Sequence, residues 1–278
     1  MSDRILMCAP DHFEIAYVIN PWMEGNLALS SSAAAHVQWR ALAQRIATVA
    51  QVDYLTPADG VPDMVFTANA GLVLGGRAIL SRFRHAERQA EEPHFERWFL
   101  DNGFDVRKLP LDMWFEGAGD ALFDPARAAI WLGHGHRSDP LAAPLVQRLL
   151  EVEVLPLRLV NERYYHLDTC LCVLEGGYLM YHPAAFDQAS QDLIVKRVPA
   201  HLRIEVGADD AADFACNAVN CGRTIFLNRA SAALVTQLQA CGFDVQQTPL
   251  SEFMRAGGAA KCLTLKVSES VVTPPAAE

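Results

Sequence analysis

Short apolar runs alternate with helical patterns along almost the whole chain. The run RILMCA at 4–9 predicts a strand, and residues 31–50 show a helical period, with Val37 among the residues expected to face inward. Paired strands around double-glycine turns at 75–76 and 176–177 predict hairpins, and a helical pattern follows each pair. This unit recurs at intervals of roughly 50 residues, so the pattern predicts an α/β fold with mixed sheets.

Four stretches interrupt this pattern with polar residues that packing against a core would not select. In the first, Asp63 and Asn69 flank an apolar run, and a turn with local hydrogen bonds is the alternative to a binding site. In the second, Glu116 and Asp120 flank glycines that permit a ligand to approach closely, and a bulged hairpin with solvated acids is the alternative. The four stretches are PDMVFTANAGLV, WFEGAGDALFD, YYHLDTCLCVL and GGAAKCLTLKV.

The other two stretches carry an imidazole and a thiol. His166 and Asp168 alternate, so on a strand they share a face, where a carboxylate orients an imidazole. A core histidine with its partner acid is the alternative. Cys262 follows a Gly-rich turn at the predicted start of a strand, which suits a nucleophile or a small packed side chain.

Together, the four stretches indicate nucleophilic attack on a carbon at the acid oxidation level, with a cationic group held by carboxylates. A guanidinium fits this arrangement best, because it is planar and presents five N–H donors that pair with carboxylates.

Composition excludes several classes of protein. The chain has 278 residues and a formal net charge of −10, whereas nucleic-acid-binding proteins carry a basic footprint. No apolar run reaches the roughly 18 residues of a membrane-spanning helix, and the first residues lack the pattern of a secretory signal. The seven cysteines, without paired zinc-knuckle spacing, indicate reduced thiols. We therefore expect a cytoplasmic protein.

The motifs FEGAGDAL, HLDT, PDMVFTANAG and GGAAKC together resemble those of the guanidino-group-modifying superfamily, whose fold is the pentein fold. The resemblance extends over essentially the whole chain. It implies a five-bladed α/β propeller that forms a single catalytic domain over residues 1–268. The tail at 269–278 is rich in Pro and Ala and is expected to be disordered. The segments MCAPDHFEIAYVINPWMEGN and FTANAGLVLGG resemble the arginine dihydrolase branch in particular.

The resemblance implies a hydrolase that converts arginine to ornithine, two ammonia and carbon dioxide. The alternatives are an arginine deiminase or a dimethylarginine dimethylaminohydrolase, which form citrulline, and an amidinotransferase. A non-catalytic arginine-binding protein is a further alternative, but the joint presence of Cys262 and His166 argues against it. No metal or organic cofactor is implied, the expected partner is a small-molecule substrate, and relatives of this kind often form homo-oligomers.

By the same resemblance, four residues are expected to carry the chemistry. Cys262 is similar to the nucleophile, and His166 to the general acid–base that protonates the leaving ammonia and then activates water. Glu116 is expected to bind the guanidinium. Asp168 is expected to pair with the guanidinium or to orient His166.

Further residues are expected to bind the rest of the substrate. Arg88 and Arg137 are candidates for its carboxylate, although a charged helix start and a solvated surface position are the respective alternatives. Asp120 is expected near the amino end of the substrate. Asn20 and Gly258 are expected substrate contacts.

Asn69 departs from the pattern of the deiminases and dimethylarginine hydrolases, which usually carry an acid at this point of the motif. An amide offers both a donor and an acceptor. We therefore expect Asn69 to hold a neutral intermediate for a second hydrolysis, as the similar motif of the dihydrolase branch also implies.

Overall fold

Short strands and helices alternate through residues 3–269, the part of the chain that the computed structural model describes. The strands are β1 (Arg4–Cys8), β2 (Gln51–Leu55), β3 (Gly71–Leu74), β4 (Arg77–Leu80), β5 (Asp105–Arg107), β6 (Ala121–Asp124), β7 (Ala129–His134), β8 (Glu153–Arg158), β9 (Leu171–Leu174), β10 (Tyr178–Tyr181), β11 (Arg203–Glu205), β12 (Val219–Cys221), β13 (Thr224–Leu227), β14 (Asp244–Gln247) and β15 (Leu265–Lys266). The helices are α1 (Ser32–Ile46), α2 (Ala86–Gln89), α3 (Glu92–Asp101), α4 (Ala142–Leu150), α5 (Gln188–Arg197), α6 (Ala208–Ala212), α7 (Ala232–Ala240) and α8 (Ser251–Met254). Most of the predicted tail, residues 270–278, lies outside the described residues.

Each sheet contains three strands in the same arrangement. Two strands pair antiparallel, and a helical connection then brings a third strand into parallel pairing with the second. Four sheets use consecutive strands, namely β3–β4–β5, β6–β7–β8, β9–β10–β11 and β12–β13–β14. In the fifth sheet, β15 pairs antiparallel with β1, and β2 is the parallel third strand.

The five sheets are the blades of one α/β propeller. An axial cavity of about 390 Å³ is lined by residues of β3, β6, β9, β12 and β15, which are therefore the inner strands of the blades. The inner strands begin at residues 71, 121, 171, 219 and 265, which agrees with the predicted recurrence of roughly 50 residues. The five-bladed pentein fold and the α/β class are confirmed.

Helix α1 illustrates how a helix covers its blade. The hydroxyl of Ser31 accepts a hydrogen bond from the backbone N–H of Ala34 and caps the helix, and Trp39 packs in the same buried cluster as strand β1. Val37 is 68% exposed, so the prediction that it faces inward is wrong. Two helical positions rotate a side chain by about 200°, which places Val37 on the side opposite the buried Ala35.

The structure places Cys262 differently from the sequence prediction. Cys262 lies in a turn before β15 rather than at the start of a strand, because the backbone N–H of Leu263 donates to the carbonyl of Ala259, as in a helical turn. The chain therefore turns at Cys262 and becomes extended only afterwards.

Apolar side chains of neighbouring blades and helices pack into buried clusters, with Trp131, Phe83 and Phe99 among the largest fully buried residues. All seven cysteines are free thiols, as predicted, and only Cys241 is partly exposed. Within residues 3–269, none of the helices is long and apolar enough to cross a membrane.

Candidate active site

The buried polar and thiol side chains that could carry out chemistry lie in the five connections that lead from the outer strand of one blade to the inner strand of the next. We call these connections the axial turns, because each ends where an inner strand begins at the propeller axis. They contribute Asn69 before β3, Glu116 before β6, His166 and Asp168 before β9, Asn217 before β12, and Cys262 before β15. Residues far apart in sequence therefore converge at one place.

A narrow pocket joins many of the predicted site residues. Its lining also contains Asp63, Phe66 and Tyr165, which the sequence did not assign to the site. Glu116, His166 and Asp168 are buried and contact residues of the lining without belonging to it. The predicted residues that line the pocket are Asn20, Asn69, Arg88, Arg137, Gly258 and Cys262.

The Cys262 thiol lies between an acid and an amide. Its Sγ donates to Oδ2 of Asp168 at 3.3 Å and accepts from Nδ2 of Asn217 at 3.1 Å. Burial and the Asp168 carboxylate raise the pKa of the Cys262 thiol well above its usual value. The resting site therefore favours the thiol, and a cation placed beside Asp168 favours the thiolate.

Asp168 is buried with half of its hydrogen-bonding capacity unused. Burial raises the pKa of Asp168 to about 7, although the Lys261 ammonium and the hydrogen bond from Cys262 oppose the rise. The second carboxylate oxygen, Oδ1, has no hydrogen-bond partner among the described residues. A buried carboxylate oxygen without a partner is costly, so it fits a site that a cationic ligand completes.

His166 is oriented by Glu116. Its Nε2 lies 2.7 Å from Oε2 of Glu116, which stands on the axial turn of a different blade. The prediction that His166 and Asp168 share the face of a strand is wrong, because residues 167–169 form a 3₁₀ turn. With three residues per turn, positions two apart point in different directions. Asp168 consequently reaches Cys262, and Glu116 takes the place of orienting acid.

Glu116 is fully buried among donors. Besides His166, its carboxylate accepts from the guanidinium of Arg137 at 3.1 Å and from the backbone N–H of Arg84 at 3.2 Å. Burial alone would raise the pKa of Glu116, but Arg137 and His166 outweigh burial and hold that pKa well below its usual range. Glu116 is therefore a fixed negative charge beside the imidazole.

Asn69 is held at both ends of its amide. Its Oδ1 accepts from Arg88 at 2.9 Å, and its Nδ2 donates to the backbone carbonyl of Glu116 at 3.2 Å. The Asn69 amide packs closely against the backbone of Gly119, where an added Cβ would lie 2.2 Å from Nδ2 of Asn69. The orientation of this amide is thus set by its surroundings.

The two predicted carboxylate-binding arginines are buried, which rules out the solvated alternative for Arg137, whereas Arg88 lies in the short helix α2, as its alternative expected. Arg88 forms a two-pronged ion pair with Glu91 at 2.7 Å for each contact. Arg137 donates to Glu116 and to the carbonyl of Ile19, and its guanidinium lies over the ring of Tyr165. Both line the pocket, so contact with a substrate carboxylate stays a prediction that their placement permits.

Asn20 and Gly258 form part of the pocket wall near Cys262. Nδ2 of Asn20 donates to the carbonyl of Ala256 at 3.1 Å, which ties the loop around residues 16–30 to the last axial turn. An added Cβ at Gly258 would lie 2.7 Å from the Phe66 ring and 3.0 Å from Cβ of Cys262. A glycine is therefore needed for the turn to approach both groups.

Asp120 is not part of the pocket lining. Its carboxylate accepts from the hydroxyl of Ser138 at 2.6 Å and from the backbone N–H of Leu167 at 3.0 Å. These bonds join two axial turns and fix the residue after His166. A direct substrate contact for Asp120 stays a prediction, whereas its hydrogen bonds within the protein are those of a residue that positions the axial turns.

Within residues 3–269, no group of three or more His, Cys, Asp and Glu side chains is arranged as a metal site.

We expect the Asp168→Asn variant to be more stable than the parent protein at pH 8 by roughly 2–4 kcal/mol, with the gain vanishing near pH 4. The folded-state pKa of Asp168, about 7, lies above the unfolded value. The folded protein therefore holds the proton between these values, and stability falls as pH rises through that window. Urea unfolding at several pH values measures the difference between variant and parent.

Asp124→Asn is the matched control, since Asp124 is an equally buried acid that is paired with Arg127. Removing that charge should lower stability at pH 8. An Asp168→Asn variant no more stable than the parent at pH 8 would contradict the electrostatic interpretation.

The fold and the converging thiol, imidazole and carboxylates define a class of cysteine-dependent enzymes that act on guanidino groups. The family model for N,N dimethylarginine dimethylhydrolase, eukaryotic, matches residues 28–269. The N(G),N(G)-dimethylarginine dimethylaminohydrolase of Mycobacterium tuberculosis is 36% identical over 95% of this chain and 85% of that protein. The chain belongs to this family of hydrolytic enzymes, within the pentein superfamily.

Higher similarity is found to the bifunctional arginine dihydrolase/ornithine cyclodeaminase ArgZ of Synechocystis sp. It is 55% identical over 97% of this chain, and the chain spans only 38% of the length of that relative. The crystal structure of the N-terminal domain of ArgZ, a cysteine-to-serine variant bound to substrate, superposes with a TM-score of 0.96. It is 55% identical, and the match covers 97% of this chain and 100% of that domain.

Proposed function

We propose that this protein is an arginine dihydrolase, which converts arginine and two water molecules to ornithine, two ammonia and carbon dioxide. One observation carries the proposal: Sγ of Cys262 lies 3.3 Å from Asp168, whose second oxygen is buried without a partner. A guanidinium paired with that carboxylate brings its carbon next to the sulfur. The similarity to the dihydrolase ArgZ supports arginine as the source of the guanidinium.

Arginine carries two cationic groups, and the site offers two incompletely paired acids. In this proposal Asp168 receives the guanidinium, and Glu116, which was expected to bind it, orients His166 instead. Asp63 lines the pocket, accepts from Tyr17 at 3.0 Å through Oδ2, and has no partner for Oδ1 among the described residues. It is suited to the α-ammonium group. The carboxylate of arginine then faces Arg88 and Arg137 on the same lining.

The first half of the reaction forms a covalent adduct. Binding of the cation beside Asp168 favours transfer of the thiol proton to His166, and the Cys262 sulfur bonds to the guanidinium carbon. A terminal C–N bond then breaks, and the ammonia leaves with a proton from His166. That proton balances the one lost by the thiol. Glu116 balances the charge of His166 until that proton is given up. Once the ammonia has left, His166 is neutral and an S-linked thiouronium cation remains on the enzyme.

The second half is hydrolytic. His166 takes a proton from water, and the hydroxide adds to the thiouronium carbon. Cleavage of the C–S bond at this stage, with the hydroxyl proton passing to the departing sulfur, gives citrulline and regenerates the Cys262 thiol. In a dihydrolase, the neutral ureido group stays bound, the remaining terminal C–N bond is cleaved by the same chemistry, and a second water releases carbon dioxide and ornithine.

Asn69 distinguishes these two outcomes. Its amide carries a donor and an acceptor, so it can hydrogen-bond a neutral ureido group, whereas a carboxylate in its place offers acceptors only. The amide is positioned by Arg88 and by the carbonyl of Glu116. We therefore assign to Asn69 the retention of the neutral intermediate.

The decisive experiment is stoichiometric. Parent protein incubated with arginine should give two ammonia per ornithine and little citrulline. We expect Asn69→Asp to release about one ammonia per citrulline and to form ornithine at least ~10-fold more slowly, because the ureido intermediate loses its donor and departs. Asn161→Asp serves as the control, since this side chain only caps a turn and an Asp caps equally well.

Each outcome separates the candidates. Unchanged stoichiometry in Asn69→Asp would refute the role of its amide. One ammonia per citrulline from the parent protein would make it a deiminase. Turnover of dimethylarginine but not arginine would favour the dimethylarginine hydrolase activity of other family members, and dependence on an added amine would favour an amidinotransferase.

We also propose a cytoplasmic location and a homo-oligomeric state. The free thiols at all seven cysteines support the first. Light scattering of the purified chain tests the second.

A further inference from the structure

We propose that Asn217 is a catalytic residue, which fixes the turn that carries the nucleophile and donates a hydrogen bond that stabilises the Cys262 thiolate. This inference rests on the proposed function for the identity of the nucleophile. Asn217 was not among the residues predicted from the sequence. It is fully buried and stands on the axial turn before β12, the only one of the five without a predicted site residue.

The amide oxygen of Asn217 binds the turn that carries Cys262, residues 259–262, which we call the nucleophile turn. Its Oδ1 accepts from three backbone N–H groups, those of Ala259 at 3.0 Å, Lys261 at 3.1 Å and Cys262 at 3.2 Å. The backbone carbonyl of Asn217 accepts from Lys261 as well, at 3.2 Å. One residue therefore holds most of the turn between Ala259 and Cys262 in place.

The other end of the amide faces the reacting atom. Nδ2 donates to Sγ of Cys262 at 3.1 Å and to the backbone carbonyl of Asp168 at 2.9 Å. The orientation of the amide is unambiguous, because the opposite one would set N–H donors against three backbone N–H groups and an oxygen against a carbonyl. An N–H group is thus directed at the sulfur from the same residue that fixes the cysteine backbone.

This donor suits the step that the site must promote. Asp168 repels a thiolate, and its own hydrogen bond with Cys262 uses the thiol proton, so it favours the protonated form. A neutral amide lowers the energy of the thiolate without competing with the guanidinium for Asp168. It acts on sulfur when the thiolate forms, and again when sulfur leaves the carbon, as a preorganised donor does for an oxyanion.

Asn217→Asp is the most informative variant. One oxygen still accepts from the backbone of the nucleophile turn, whereas the other replaces the donor at the sulfur with a repelling anion. We expect kcat/KM for arginine to fall by about 10²–10³-fold. The pH midpoint of Cys262 alkylation by iodoacetamide, followed by mass spectrometry of the peptide containing Cys262, should rise by one unit or more.

Asn228→Asp is the matched control. Asn228 is likewise buried, donates to the carbonyl of Asp213 at 2.8 Å and accepts from the backbone N–H of Leu250 at 2.8 Å, but it does not line the pocket. The same change there should leave kcat/KM within about 3-fold and the alkylation midpoint unchanged, because mutations away from the site act mainly on stability.

The alkylation measurement needs no substrate, so it tests Asn217 even if the chain does not turn over arginine. An unchanged midpoint in Asn217→Asp would overturn the proposal. An equal loss of activity in Asn228→Asp would also overturn it, by showing a general structural effect. If Asn217→Asp does not fold, Asn217→Ser removes the same donor without a charge, and the same two outcomes decide.

Discussion

Replacing Cys262 by alanine should reduce arginine turnover by at least ~10⁴-fold while arginine still binds. The covalent adduct cannot form without the sulfur, and none of the remaining groups is placed to replace it. The carboxylate of Asp168 loses its thiol partner and keeps a buried charge for the guanidinium. Calorimetric titration of the variant with arginine should therefore give a dissociation constant no larger than the KM of the parent protein.

Cys172→Ala is the control for this substitution. Its thiol is also buried and donates to the carbonyl of Ala218 at 3.3 Å, away from the pocket. It should retain most of the parent activity. If Cys262→Ala kept more than about a tenth of the parent rate, covalent catalysis by this residue would be wrong.

The second large effect is expected for Glu116→Gln, with a fall in kcat of about 10³-fold and little change in arginine affinity. The carboxylate lies 2.7 Å from His166 and 3.1 Å from Arg137. A glutamine directs an N–H group at one of these donors and removes the charge that balances the imidazolium. The acid–base step therefore suffers more than binding, which single-turnover kinetics separate.

Glu252→Gln provides the comparison. Glu252 is buried and pairs with Arg255, and it accepts from the backbone N–H of Ser31 at 2.7 Å. Its replacement should lower stability and leave kcat nearly unchanged. A comparable fall in kcat for both variants would show that Glu116 acts through the fold rather than through His166.

The fold could be predicted from the sequence because strand and helix patterns recur with a regular spacing. The number of blades came from the resemblance, since a closed ring leaves no local signal. Cys262 and His166 could be proposed because their residue types suggest chemistry. The pairing of His166 with Glu116 could not, because it joins two blades and depends on a 3₁₀ turn where a strand was expected.

Asn217 shows a different limit. It stands in the stretch FACNAVNCG, where an asparagine between small and apolar residues looks like an ordinary turn residue. Its importance arises from five hydrogen bonds of one amide to two other axial turns, and none of those partners is within 40 residues. Local pattern carries no information about such contacts.

The blade that joins β15 to β1 determines the order in which parts of the candidate active site become available during synthesis. Strand β15 pairs with β1 across almost the whole length of the chain, and Cys262 lies just before β15. During synthesis on the ribosome, the acids proposed to receive a guanidinium emerge long before the thiol proposed to attack it. Under the proposed function, a nascent chain is therefore inert toward arginine, and reactivity appears only when β15 completes the ring.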